Sequence, residues 1–352
     1  MKVGEARAVA ARWVADHRAD GWVGAYVSGS AAWLPETAEL PPASDADVIV
    51  VVDGERPKLG KFRYDGVLLD VSFAPMGSAE AVLGSPALAP ALSRGVLLAD
   101  SGGRLGRVQA EVAARFGAPE WVLARCAALE DRIAGPAGEA GVEGPAGEAG
   151  VAGPAGERRR VAVARPDEGV PLAERVLAWA FPVSLPTLVV LTAARANPTV
   201  RKRYVASREV LLAHGQGAFH EEVLGWLGCA GLGAVRVGEH LDRLASVYDR
   251  VPYDVAKPYG SDLTPEARPV SIDGTRELIE QGLHREAVWW ILVTLARCAT
   301  FDPHGTEALR DLLGDLGVAA PEAMRDRAAE VAGALPRLRQ VRDAVLATPP
   351  RR

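Results

Sequence analysis

A chain of 352 residues is longer than one hydrophobic core comfortably fills, so two domains are the default expectation. Hydrophobic residues at 49% and charged residues at 24% are ordinary proportions for a globular protein, which sets aside a disordered chain. The net charge of -5 argues against nucleic acid held by broad nonspecific attraction.

Three cysteines, Cys126, Cys229 and Cys298, stand far apart among apolar neighbours, a pattern of neither a disulfide framework nor a zinc site. It suits reduced core thiols in a cytoplasmic protein. The first residues lead into a charged amphipathic segment, so no signal peptide is expected. In residues 4–18, Ala6, Val9, Ala10, Trp13 and Val14 recur at helical spacing, which predicts a helix packed on a sheet. The apolar run 22–27 predicts the first strand. Gly29 and Ser30 then form a small-residue turn opening a short helix, whose backbone N–H groups and hydroxyl suit an anion such as phosphate.

After a loop carrying Pro35, Glu36, Glu39, Pro41 and Pro42, Asp45 and Asp47 stand two apart at the mouth of the aliphatic run 48–52. Strand side chains alternate with period 2, so both carboxylates project from one face. Asp65 and Gly66 lie between residues 61–64 and 67–73, a hairpin signal that makes Asp65 a turn residue and leaves Asp70 in mid-strand, where it can sit beside the other pair. Three carboxylates so close raise one another's pKa unless a cation sits among them. Mg²⁺, a hard ion that takes carboxylates together with phosphate oxygens, is the natural occupant.

Taken together, Gly29-Ser30, a loop, Asp45-Ala46-Asp47 ahead of aliphatics and Asp70 on a later strand resemble the signature of the DNA polymerase beta-like nucleotidyltransferase superfamily, which includes the antibiotic and minimal nucleotidyltransferases. The likeness covers residues 20–75, and the loop from Ser30 to Asp45 is long for that family. The resemblance implies an α/β (α+β) fold, a small mixed-sheet catalytic domain followed by a mostly α-helical one. It also implies transfer of a nucleoside monophosphate from a nucleoside triphosphate to an acceptor hydroxyl, with release of pyrophosphate. In that scheme Asp45, Asp47 and Asp70 hold Mg²⁺ as a pair of ions, and Asp70 also accepts the hydroxyl proton. Gly29 and Ser30 hold the β and γ phosphates, while Lys61 and Arg63, on the hairpin arm opposite Asp70, are placed for nucleotide. A small-molecule acceptor such as an antibiotic-like sugar is favoured. A non-catalytic nucleotide-binding module, and an antitoxin-like nucleotidyltransferase acting on protein or RNA, stay open as alternatives; oligomeric state is not specified.

Residues 79–83 and 87–98 predict short helical or extended pieces that close the first domain, 1–100, with 96–99 a further strand. An amphipathic helical pattern over 105–133, broken at Gly117, Ala118 and Pro119, predicts bridging helices over 101–134. From residue 135 glycine falls at every third position, the collagen pattern. The run is short, has only Pro136, Pro145 and Pro154, and interrupts a globular chain, so 135–160 is expected to be a flexible linker.

The second domain, 161–352, carries helical spacing over 206–214, 221–227, 237–247, 274–282, 286–299, 306–316 and 321–346. Residues 176–194 are uncharged and nominally long enough to span a membrane, but Pro182 and Pro186 predict two buried helical pieces, so no membrane is expected. Arg201, Lys202 and Arg208, with Tyr204, belong to the densest basic run of this half. Reaching over a cleft, they would neutralise leaving pyrophosphate, and Tyr204 and Arg208 share a helical face. Glu209, Glu221, Glu222, Asp262, Asp273 and Glu277 are the acids available for a pocket that takes a cationic acceptor.

Overall fold

The structure is a computed structural model that describes residues 1–54, 56–135 and 169–348. The predicted linker, apart from Gly135, lies outside the described residues.

A sheet half comes first and a helical half follows. Helix α1 (Val3–His17) leads into β1 (Trp22–Ser28), α2 (Gly29–Trp33) and β2 (Ala46–Val52). The hairpin of β3 (Gly60–Tyr64) and β4 (Val67–Pro75) is followed by α3 (Ala79–Gly84), α4 (Leu88–Ser93) and β5 (Val96–Asp100). The strand order is β3-β4-β2-β1-β5, with β2 parallel to β4 and every other neighbouring pair antiparallel. The hairpin turns on Asp65 and Gly66, both at positive φ (46° and 80°), the backbone that a two-residue turn needs to match the twist of its strands.

The central strand β2 is buried on both faces. Val48, Val50 and Val52 pack with Trp13 and Val14 of α1, while Ile49 and Val51 pack with Tyr26 and with side chains of α3, α4 and α5 (Arg104–Arg115). Two-sided burial is the reason the run 48–52 is continuously aliphatic instead of alternating. The helical pattern breaks where predicted, and α6 (Pro119–Ala134) bridges the halves. Buried Arg125 donates to the carbonyls of Leu83 at 3.0 Å and Phe116 at 2.7 Å, whereas Val122, Cys126, Leu129 and Ile133 enter the core of the helical half.

That half comprises α7 (Leu172–Ala193), α8 (Arg203–Ala213), α9 (Gly217–Leu227), α10 (Ala234–Tyr248), α11 (Gly274–Glu280), α12 (His284–Ala299), α13 (Pro303–Asp315), α14 (Pro321–Gly333) and α15 (Leu335–Leu346). Helices α7 and α12 are its core, and Trp179 and Trp289 are fully enclosed. Two expectations change. Helix α7 runs unbroken through Pro182 and Pro186, because its neighbours bury it on nearly all sides. The Ser184 and Thr187 hydroxyls also donate to the carbonyls of Phe181 (2.8 Å) and Ser184 (2.6 Å) beside the prolines. Among the described residues α7 alone is long and apolar enough to cross a membrane, and 83% of its most apolar window is buried inside the protein. Conversely, 321–346 is two helices, since Pro336 has no N–H to donate and its ring crowds the carbonyl four residues back.

Candidate functional site

In the parallel ladder of β2 and β4, Asp47 stands directly opposite Asp70, and Asp45 immediately precedes β2. All three carboxylates share one sheet surface, and one oxygen from each lies within 4.8 Å of the others. Sequence parity alone predicts the shared face of Asp45 and Asp47. The strand pairing brings Asp70 to them.

Gly29 makes room for this arrangement. Its φ is +58°, and a Cβ on it would lie 1.9 Å from Asp47 Oδ2, so any other residue would displace the carboxylate. The turn is held from behind by Arg7 of α1, which donates to the carbonyls of Ala31 (2.7 Å) and Leu34 (2.8 Å) at the end of α2. The long loop to Asp45 is tied to the same helix. The amides of Val3 and Gly4 donate to the carbonyls of Ala38 and Glu36, and that of Leu40 to Met1. The bonds of Val3 and Gly4 satisfy N–H groups that α1 would otherwise leave open. Ser30 sits half-buried in the first turn of α2.

Two lysines enter the cluster. Lys61 lies across from Asp70 in the β3–β4 ladder, and its ammonium donates to both Asp45 and Asp70. Lys58 reaches both oxygens of Asp70 at 3.0 Å and lies 3.9 Å from Asp262 of the helical half. Burial alone would lower the pKa of each lysine, yet the surrounding aspartates outweigh it and both are raised. Burial would raise that of Asp70, but Lys58 and Lys61 hold it below the usual carboxylate range. Asp47 has neither lysine as a hydrogen-bond partner, and enclosure, followed by the charges of Asp45 and Asp70, pushes its pKa up to about 8.

The donor set fits a hard divalent cation. Opposite ligand oxygens around Mg²⁺ lie about 4.2 Å apart, twice a bond of roughly 2.1 Å, so small side-chain rotations close a 4.8 Å spread around one ion. Asp47, the carboxylate least compensated by lysine, gains most from such an ion.

The helical half completes one wall. Its turn Gly260–Asp262 presses on β3 so closely that a Cβ on Gly60 would lie 2.4 Å from Ser261 Cβ. Asp262 also faces Arg297 at 3.6 Å, whose guanidinium lies over the rings of Tyr259 and Trp290. Arg201 donates to the carbonyl of Gly274 at 2.7 Å and reaches that of Ala43 at 3.5 Å, joining the loop before Asp45 to the helical half. Burial lowers its pKa and the charge of Asp45 works against that.

Of the residues singled out in the sequence, Asp45, Asp47, Asp70, Gly29 and Lys61 converge, and Arg201 borders them. Lys202 is half-buried beside Arg201, where Glu277 and Glu209 are its acidic neighbours. Three others lie elsewhere. Arg63 is exposed and donates to the Gly66 carbonyl within its own hairpin. Tyr204 is enclosed in the helical core beside Trp289, and Arg208 pairs with buried Glu286 at 3.4 Å, so their shared helical face points away from the triad. Asp262 is the acid of the helical half that reaches the cluster; Glu221, Glu222 and Asp273 pair instead with Arg285, Arg337 and Arg268. Lys58 escaped sequence reasoning because it sits in the loop ahead of β3, where no periodicity assigns it a face.

No protein-family model matches the chain, and no curated protein matches it.

Proposed function

We propose that this protein is a Mg²⁺-dependent nucleotidyltransferase that moves a nucleoside monophosphate from a nucleoside triphosphate to a hydroxyl of a small-molecule acceptor. The observation that carries the reading is the convergence of Asp45, Asp47 and Asp70 from adjoining strands to within 4.8 Å, beside a glycine whose missing side chain admits Asp47. These three carboxylates would hold the metal. Bound Mg²⁺ would supply charge neutralisation for in-line displacement at the α-phosphorus.

The chain's own groups account for the rest. The Gly29-Ser30 turn borders the carboxylates and suits the β and γ phosphates, as does Arg201 at the rim. Asp70 takes the acceptor's proton; while both lysines hold it, its basicity is low, so that role requires Lys61 to turn toward phosphate. Three free, buried cysteines suit a reducing compartment, and we place the protein in the cytoplasm.

The test is pyrophosphate release with Mg²⁺, a mixture of the four ribonucleoside triphosphates and a panel of hydroxylated acceptors. The Asp47→Asn protein, checked for native circular dichroism, is expected to lose turnover by at least about a thousandfold, the scale of removing a group that stabilises transition-state charge. Wild-type turnover in that variant would remove the reading. The ammonium of Lys61 within the triad favours one second reading, a module that binds nucleotide without turnover. Mg²⁺-dependent triphosphate binding with no pyrophosphate release across the panel would establish it.

A further inference from the structure

We propose that Lys61 is a built-in counter-ion that couples metal to nucleotide: its ammonium lies between Asp45 and Asp70 and must turn to the triphosphate before both carboxylates can ligate a divalent cation. This rests on the nucleotidyltransferase reading above and adds an order to it, since metal enters well only together with triphosphate.

The placement of the two lysines carries the argument. Both hydrogen bonds of Lys61 go to triad members, and the side chain is only 12% exposed. Lys58 already covers both oxygens of Asp70. A cation arriving alone therefore meets three carboxylates largely offset by two ammonium groups, and would have to sit beside Lys61 at close range. Like charges at that separation in an enclosed site repel strongly. A triphosphate changes the balance, because it brings several negative charges and oxygen acceptors for an ammonium to follow.

Lys61 is also the lysine able to move. It stands on β3, an edge strand of the sheet, on a flexible four-carbon stem. Lys58 is braced on its far side by Asp262, itself faced by Arg297. Displacing Lys61 frees Oδ2 of Asp45 and leaves Oδ2 of Asp70 to Lys58 alone, which can hold Asp70 through Oδ1 and keep its second partner.

The experiment measures Mn²⁺ binding by the full-length protein, from the loss of the free-ion electron paramagnetic resonance signal. It is run alone and with saturating α,β-methylene analogues of ATP and GTP, which cannot give up the nucleotidyl group. Wild type, Lys61→Met and Asp47→Asn are compared, each first shown to unfold cooperatively. The expected result is weak Mn²⁺ binding by wild type that tightens with the analogue, and at least tenfold tighter binding by Lys61→Met alone, with the analogue adding much less. Unchanged or weaker Mn²⁺ binding by Lys61→Met, while Asp47→Asn loses it, overturns the coupling and leaves the nucleotidyltransferase reading intact. Asp47→Asn binding Mn²⁺ like wild type, or no form binding it under any condition, overturns both.

Discussion

Replacing Gly29 with alanine tests the geometry of the site most directly. The added Cβ would lie 1.9 Å from Asp47 Oδ2, whereas a carbon and an oxygen in contact need roughly 3.3 Å, so the carboxylate must retreat by about 1.4 Å. Metal–ligand bonds tolerate deviations of only about 0.2 Å, so Asp47 ceases to be a ligand. An alanine at φ +58° also costs about 1–2 kcal/mol of backbone strain. Gly66→Ala separates the two effects. Gly66 has φ +80° and nothing within 4 Å of its would-be Cβ, so it incurs the strain without the collision. Urea unfolding should show both variants destabilised by at least about 1–2 kcal/mol. Only Gly29→Ala should lose Mn²⁺ affinity in the presence of the triphosphate analogue, by about tenfold or more, together with any pyrophosphate release. Wild-type Mn²⁺ affinity in Gly29→Ala, or an equal loss in Gly66→Ala, would refute the reasoning.

Two further predictions concern the frame around the site. Arg125→Met keeps the apolar stem but strands the carbonyls of Leu83 and Phe116, and should lower the urea midpoint by an amount equivalent to about 2–4 kcal/mol; an unchanged midpoint would mean that Arg125 does not tie the bridge to the sheet half. Buried Glu286 accepts from His220 at 3.0 Å, with Arg208 and Arg285 nearby. Burial would raise its pKa, but the hydrogen bond and charge of His220 and the charge of Arg285 bring it below the usual value. A depressed acid pKa contributes stability above the unfolded value of about 4.5 that is lost as pH falls through the folded one, so Glu286→Gln should flatten the decline of the urea midpoint below pH 5, and parallel wild-type and variant curves would contradict it.

The N-terminal half was the more legible because its signals are local. Alternation predicts that Asp45 and Asp47 share a face, Asp65-Gly66 names its turn, and a strand buried on both sides cannot avoid the aliphatic run of β2. The helical half was legible as helices, but not in which way its charged residues face. Arg201, Tyr204 and Arg208 belong to one basic stretch, and packing sends one to the rim of the site, one into the core and one to Glu286. The prolines of α7 mark the same limit, because local cost predicts a break and burial by neighbours overrides it.

The sequence by itself determined the sheet-then-helices order, the turn of the hairpin and two acids aimed from one strand, since each depends on residues within a few positions of one another. Only the tertiary structure decided that Asp70 joins them, that Lys58 and Lys61 thread into the same space and that Asp262 closes it from the helical half. Strand register and docking between the halves are sums of many long-range contacts, and no single stretch of chain encodes them.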